Sequence, residues 1–445
     1  MDNNIEYFKL LESKTKKSSQ YFETAKKSIL GGIASALHKG DYEPYPIFIE
    51  SGKGSKLYDV DGNEYIDYVG GFGPTILGYC PQAVNDAVID QASRGAQFAA
   101  PTKSLNDLSD KIASIVPCAE LVSYQSTGTE ACIVAVRFAR AYTGKNKIIK
   151  FEGNYHGWSE ELYISTAASS LAQLGPRNNP WKIRQSAGQT ERVTEDVIIL
   201  PWNDLEVVEQ AINRHGHEIA AVILEPVMCN CEPIMPKPGY LEGLRKITAD
   251  NDVLLIFDEI ITGFRLALGG AQEYYKVKPD ISTFGKAAAG GFQIAGVVGR
   301  KEVMQTGVNP VGTFNGNPIA VAACQATIRE LEKPLVYENM ARITKRLIDG
   351  VNEIGKKKGV TLYSGGLASI WQIEFGIKGP MSEYRDNFKV DKVSYQKFRT
   401  AGLAKGIRFH PTRGRLYVSA AHSDKDVDKT LMVIDELIIN LFKTT

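Results

Sequence analysis

The sequence predicts an α/β protein: a large domain on a mostly parallel central sheet, and a smaller α+β domain formed by the N- and C-terminal segments. Three observations carry this. Short, nearly continuous β-branched apolar runs recur through the middle of the chain, as expected of strands buried on both faces. Stretches with apolar residues three and four apart lie between them, and such strand–helix alternation favours a parallel sheet. The ends of the chain read instead as a hairpin and as mixed helices and strands. At 445 residues and 43% hydrophobic composition the chain is long enough for several packed layers.

Residues 1–78 form an N-terminal segment with a helix and a hairpin, packing with the small domain. The runs IFIE at 47–50 and KLYD at 56–59 read as strands, and the turn at Asp61, Gly62 and Asn63 leads into EYIDY at 64–68. The large domain spans 79–318. Its strands are LVSY at 121–124, KIIKF at 147–151, AAVIL at 220–224 and VLLIF at 253–257, with a short one around Ser282 and Thr283. Helical patterns fill 129–142, 204–215 and 239–250. The C-terminal domain, 319–445, reads as a long helix, strands around 369–375 and 416–419, and a closing helix from Asp424.

The net charge of +1 gives no electrostatic reason to expect nucleic acid or an anionic membrane as partner. No run approaches the ~18 apolar residues that span a bilayer. Residues 1–20 lack the apolar centre of a signal peptide, so a cytoplasmic location is expected. The six cysteines are scattered, and Cys229 and Cys231 miss the usual C-x-x-C spacing, so reduced, buried thiols and no metal centre are expected.

In open parallel sheets ligands gather at the carboxyl ends of the strands. The first strand of the large domain runs into Ser126, Thr127, Gly128 and Thr129, and a helix follows at once. Free N–H groups at a helix start favour an anion such as phosphate, although Ser or Thr there also serves as a plain N-cap. Glu225, Asp258 and Glu259 stand at strand ends, where a carboxylate is a base, a metal ligand, a partner for a ring nitrogen or simply solvated. Lys286 lies between Gly285 and three alanines, with room around its stem for Schiff-base chemistry. Tyr155 and His156 follow another strand, and Tyr155 offers an aromatic face. A phosphorylated pyridine aldehyde needs such a set: a cradle, an amine, an acid for the ring nitrogen and a stacking ring.

These motifs, in this order, resemble the class III aminotransferases of pyridoxal-5′-phosphate (PLP) fold type I, closest to the branch of glutamate-1-semialdehyde aminomutases and β-amino-acid aminotransferases. The resemblance runs from about Tyr21 to the C-terminus through LYDVDGNEYID at 57–67, TGTEA at 127–131, FEGNYHG at 151–157, FDEIITGFR at 257–265, GK at 285–286 and GTFNGNP at 312–318. It implies that Lys286 forms the Schiff base with PLP and shuttles the proton, and that Asp258 pairs with the ring nitrogen. It implies that Thr127, Gly128 and Thr129 hold the phosphate, and that Tyr155 and Ile260 cover the two ring faces. Glu225 and Asn203 would lie near the phenolic oxygen. Thr313 would reach the phosphate of a neighbouring subunit's cofactor, which implies a homodimer with shared sites. The implied activity is amino transfer between an amino donor and a 2-oxo acid acceptor, with an intramolecular aminomutase or an amino-acid epimerase as the alternative.

The chain departs from the aminomutase pattern in its substrate positions. It has Gly71 and Phe72 where the aminomutases have Ser-Trp. It has PTRGR at 411–415, without the glutamate that they carry there. An Arg-Gly at this point resembles the β-amino-acid aminotransferases, where the arginine binds a substrate carboxylate in bidentate geometry. Arg413 is therefore the carboxylate candidate, with Phe72 as a further substrate contact. The loop at 33–40 lacks the arginine of those relatives, and Lys39 or His38 stands in its place.

Overall fold

In a computed structural model, which describes residues 3–39 and 44–442, the chain forms two compact units. The larger comprises Gln82–Pro334 and Met381–Phe388; the smaller comprises the chain up to Pro81, Leu335–Pro380 and the chain from Lys389.

The larger unit holds a seven-stranded sheet: β1 (Leu121–Gln125), β2 (Lys147–Phe151), β3 (Val197–Leu200), β4 (Ile219–Leu224), β5 (Leu254–Glu259), β6 (Ile281–Phe284) and β7 (Ala295–Gly299). Their spatial order is β1-β7-β6-β5-β4-β2-β3. Strand β7 pairs antiparallel with both β1 and β6. The other four pairings are parallel. Six strands therefore point the same way, and their carboxyl ends share one edge. Every residue of β4 and β5 is buried, as suits the apolar run of β4 and the run Leu254 to Phe257 of β5, which ends in the buried carboxylates Asp258 and Glu259. Helix α1 (Gly128–Thr143) leaves β1 directly and lays Ala131, Val134, Ala135 and Phe138 on the sheet, against Ile223, Ile256, Ile281 and Val297. Gly144, with φ 67°, ends it in the left-handed conformation that glycine adopts without strain.

The smaller unit has two sheets. Ile49–Lys53, Lys56–Asp59 and Glu64–Asp67 form an antiparallel meander, to which Ile407–Arg408 adds in parallel. Its turn is tied by Asp59, whose Oδ1 accepts the amides of Asp61 (3.0 Å) and Asn63 (2.7 Å). Leu362–Leu367, Ile370–Phe375 and Arg415–Tyr417 form the second, antiparallel sheet.

Some expectations are corrected. The first strand begins at Ile49, not Ile47. The long helix after 319 is two, Pro318–Leu331 and Val336–Lys358, separated at Pro334 and at Leu335 with φ 65°. Strand β7 was unforeseen because two glycines weaken its pattern; a Cβ on Gly296 would stand 2.4 Å from the Phe284 ring, so only glycine fits. Cys80 is exposed, whereas the other five cysteines are buried; all six are free thiols. No helix among the described residues is long and apolar enough to cross a membrane.

Candidate active site

Asp258, near the end of β5, is buried yet surrounded by donors. Its Oδ2 lies 2.6 Å from His156 Nδ1, and its Oδ1 accepts from the Thr283 hydroxyl and the Ile260 amide, both at 3.1 Å. The Cys132 thiol donates to Oδ2 at 3.4 Å. Burial pushes the carboxyl upward, but the His156 hydrogen bond and charge, the Ile260 amide and the charge of Lys286 outweigh it. The net shift is below the ordinary aspartate range, so Asp258 is ionised. Cys132, His156 and Asp258 bring three metal-ligating atoms within 4.8 Å. Burial and the neighbouring Asp258 hold the Cys132 thiol well above its usual range, so it stays protonated and donates to the carboxylate. The cluster is a hydrogen-bonding shell around one carboxylate.

Lys286 follows β6 and opens a short 3₁₀ turn, Lys286–Ala289. Its φ of 41° is unusual for a side chain with a Cβ. Holding such a conformation costs roughly 1–3 kcal/mol, which the surrounding structure must supply. The turn is fixed by Ala288 N donating to Gly285 O at 3.0 Å and by three buried alanines. Ile260 packs over this turn: a Cβ on Gly285 would lie 3.1 Å from its Cδ1.

The start of α1 is both an N-cap and a cradle. Thr127 Oγ1 accepts from Glu130 N at 3.3 Å, while the Glu130 carboxylate accepts the amides of Thr127 (2.8 Å) and Ser126 (3.0 Å). The amides of Gly128 and Thr129 in the first turn have no acceptor among the described residues, as helix geometry dictates. A Cβ on Gly128 would meet Ile260 at 3.1–3.2 Å, and one on Gly157 (φ +92°) would stand 2.6 Å from Thr129 Oγ1. The ring-bearing loop therefore closes directly on the helix start. Tyr155, half-buried in that loop, has its phenol pushed up to about 12, by burial first and then by Tyr163; the Thr129 hydroxyl pulls the other way.

Three further residues fasten these loops. The Glu225 carboxylate accepts the amides of Tyr155 (2.9 Å), Cys229 (2.8 Å) and Asn230 (3.2 Å). Asn203 donates to the carbonyls of Met235 (2.9 Å) and Ser382 (2.8 Å) and accepts from Lys237 N (2.8 Å). Its side-chain amide is thus taken up by backbone. Arg385 clamps buried Glu152 through two bonds of 2.9 Å, beside the ring-bearing loop. Glu259, by contrast, turns to the Thr262 hydroxyl (2.9 Å) and the Ala271 amide, and burial raises its carboxyl to about 7. It caps a local turn.

One edge of the larger unit thus joins an ionised carboxylate, an amine on a strained backbone, two open amides at a helix start and an aromatic ring. Glycines line it where any Cβ would intrude. This donor set fits a phosphorylated pyridine aldehyde. Thr313 is exposed, between Val311 and Phe314, and its carbonyl accepts from the Gln97 side chain.

The smaller unit carries the other candidates. Phe72 (φ 68°) stacks on His38 with centroids 6.3 Å apart and stands edge-on to His410 at 5.4 Å. Arg413 sits in the turn before Arg415–Tyr417, its amide donating to His410 Nδ1 at 3.2 Å. The Lys39 side chain lies outside the described residues. Sequence reasoning left three residues without a role: His156, Cys132 and Thr283, which together hold Asp258. His156 adjoins the aromatic singled out at Tyr155, but nothing local ties it to a residue 102 positions away.

A family model described as Aminotransferase class-III matches residues 38–438. The glutamate-1-semialdehyde 2,1-aminomutase of Methanocaldococcus jannaschii is 41% identical over 434 residues, covering 96% of this chain and 99% of that protein. Among solved structures, an omega-transaminase from Sphaerobacter thermophilus superposes with a TM-score of 0.90 at 30% identity, covering 96% of this chain and 98% of its own. A β-phenylalanine aminotransferase from Variovorax paradoxus gives a TM-score of 0.86 at 27% identity, with 98% and 96% covered.

Proposed function

Because this chain belongs to the class III aminotransferases and is a PLP-dependent enzyme of fold type I, we propose that it moves an amino group from an amino acid, such as a β-amino acid, or an amine to a 2-oxo acid. PLP supplies an aldehyde that captures amines and a ring that withdraws electrons from the carbon bearing the substrate nitrogen. Lys286 would anchor the aldehyde, and its free amine would be the base that moves the proton. Asp258 keeps the ring nitrogen protonated. The observation that carries the reading is the set of donors around this buried carboxylate, with His156 Nδ1 at 2.6 Å and the Thr283 hydroxyl and Ile260 amide at 3.1 Å, which favours its ionised form.

The amides of Gly128 and Thr129 take the phosphate, and Thr127 caps the helix that presents them. Tyr155 and Ile260 cover the two ring faces. Glu225 and Asn203 lie on the side of the phenolic oxygen and act by fixing the loops that they bind. Thr313 serves the cofactor of a second subunit in a homodimer; the exposure of Val311 (96%) and Phe314 (62%) on either side supports a covered surface there. Arg413 binds the substrate carboxylate, with Phe72 and Lys39 completing the substrate contacts. Six free thiols agree with a reducing, cytoplasmic location.

The test is a half-reaction. Purified, PLP-loaded protein mixed with 3-aminobutanoate or β-phenylalanine should convert the cofactor to its aminated form, seen as an absorbance shift, and 2-oxoglutarate should restore it. Failure with every amine of a broad panel would sink the transaminase reading. The identity to an aminomutase favours a second reading, intramolecular amino transfer on glutamate 1-semialdehyde. That activity, or an epimerase activity, proceeds without any 2-oxo acid, so leaving the acceptor out of the assay separates the readings.

A further inference from the structure

The smaller unit holds a buried histidine with no role so far. His410 is 3% exposed. Its Nδ1 accepts the amides of Thr412 (3.3 Å) and Arg413 (3.2 Å). Its carbonyl accepts the Tyr395 hydroxyl at 2.9 Å, which ties it to helix Lys392–Ala404. Its ring also stands edge-on to Phe72, with centroids 5.4 Å apart. One buried ring therefore touches Phe72 and fixes the backbone of the turn bearing Arg413.

An imidazole accepts at Nδ1 only when that nitrogen carries no proton. Burial first, and then the charges of Arg415, Arg413, Arg408 and Arg399, hold His410 well below the usual histidine range. With Nδ1 accepting, the one ring proton sits on Nε2; Arg415 Nη2, 3.3 Å from it, is then a close charge and not a hydrogen-bond partner, and that charge opposes a further proton on the ring. The ring is thus neutral, and its lone pair is open to the two amides. An arginine that recognises a carboxylate gains affinity when its backbone is already ordered, because less freedom is lost on binding.

We propose that His410 is a positioning residue for substrate recognition: it fixes the 411–414 turn, so that Arg413 meets a carboxylate in a preset orientation with Phe72 set against the same ring. The inference rests on the reading that Arg413 binds the substrate carboxylate, and the experiment separates the two. Asparagine at 410 places an amide oxygen where Nδ1 stands, whereas leucine offers no acceptor. The KM for 3-aminobutanoate and the kcat are measured with saturating 2-oxoglutarate as acceptor for wild type, H410N, H410L and R413A. Backbone hydrogen exchange is followed in the peptide that spans 409–417.

H410L should raise KM about tenfold while kcat stays within about threefold, and should speed exchange at 412 and 413. H410N should keep KM within about threefold of wild type. A wild-type KM or unchanged exchange in H410L, alongside a raised KM in R413A, overturns the inference and leaves the Arg413 reading standing. A wild-type KM in R413A, or no reaction of the wild type with 3-aminobutanoate, removes that reading and the inference with it. If H410L does not fold, H410Q replaces it, since its acceptor falls at the Nε2 position. Equal KM values for H410N and H410Q then overturn the inference.

Discussion

Replacing Asp258 with asparagine separates charge from shape at the centre of the site. The variant Oδ1 can still accept from the Thr283 hydroxyl and the Ile260 amide at 3.1 Å. What changes is the second atom, which lies 2.6 Å from His156 Nδ1 and 3.4 Å from the Cys132 thiol. An amide NH₂ there faces two donors, and the negative charge opposite the ring nitrogen is gone. Asp258 titrates below the ordinary aspartate value. Its ionised form therefore contributes fully to stability above that value, and the contribution is lost only as pH falls further, through the depressed value. A comparison at neutral pH lies on the plateau. Removing one partner of a buried charged pair costs about 3–5 kcal/mol. If that loss falls on the transition state, the rate drops by about two to four powers of ten, at 1.36 kcal/mol per tenfold. The assay is the single-turnover rate of amine conversion on PLP-loaded protein, with the melting temperature as control for folding. A rate within tenfold of wild type, in a variant that binds PLP and melts normally, would refute the assignment of Asp258.

Three other perturbations follow from the same geometry. Gly157→Ala places a Cβ 2.6 Å from Thr129 Oγ1 and 2.7 Å from its Cα at φ +92°, so it should lower the melting temperature and release PLP faster on dialysis; unchanged retention would contradict the close approach. Burial pulls the Lys150 amine down to about 7 from 10.5, so the unfolded chain binds more protons between those values and stability rises with pH across that window. In Lys150→Met that rise should flatten, which thermal melts from pH 7 to 9 would show or deny. Arg385→Ala leaves buried Glu152 without its bidentate partner and should cost about 3–5 kcal/mol in denaturant unfolding, with Glu152→Gln restoring part of it in the double variant. Additive losses in the double variant would disprove the clamp.

The parallel sheet was legible because β4 is apolar throughout and β5 is apolar up to Asp258, a pattern that suits strands covered on both faces. The cofactor candidates were legible for a related reason: Thr127, Gly128, Asp258 and Lys286 follow or end strands, so strand direction alone sends them to one edge. What stayed hidden depends on contacts distant in sequence. His156 meets Asp258 across 102 positions, and Arg385 reaches Glu152 across 233. Asn203 could be placed near the site but not given its bonds, which go to loops at 235–237 and 382. Strand β7 was hidden by its two glycines: Gly296 leaves room for the Phe284 ring and Gly299 for the Asp280 carbonyl.

Borohydride reduction of PLP-loaded protein, followed by proteolysis and mass spectrometry, should find the cofactor mass on the peptide containing Lys286 and on no other. Its attachment to a different lysine, or the absence of any labelled peptide from protein saturated with PLP, would contradict the assignment.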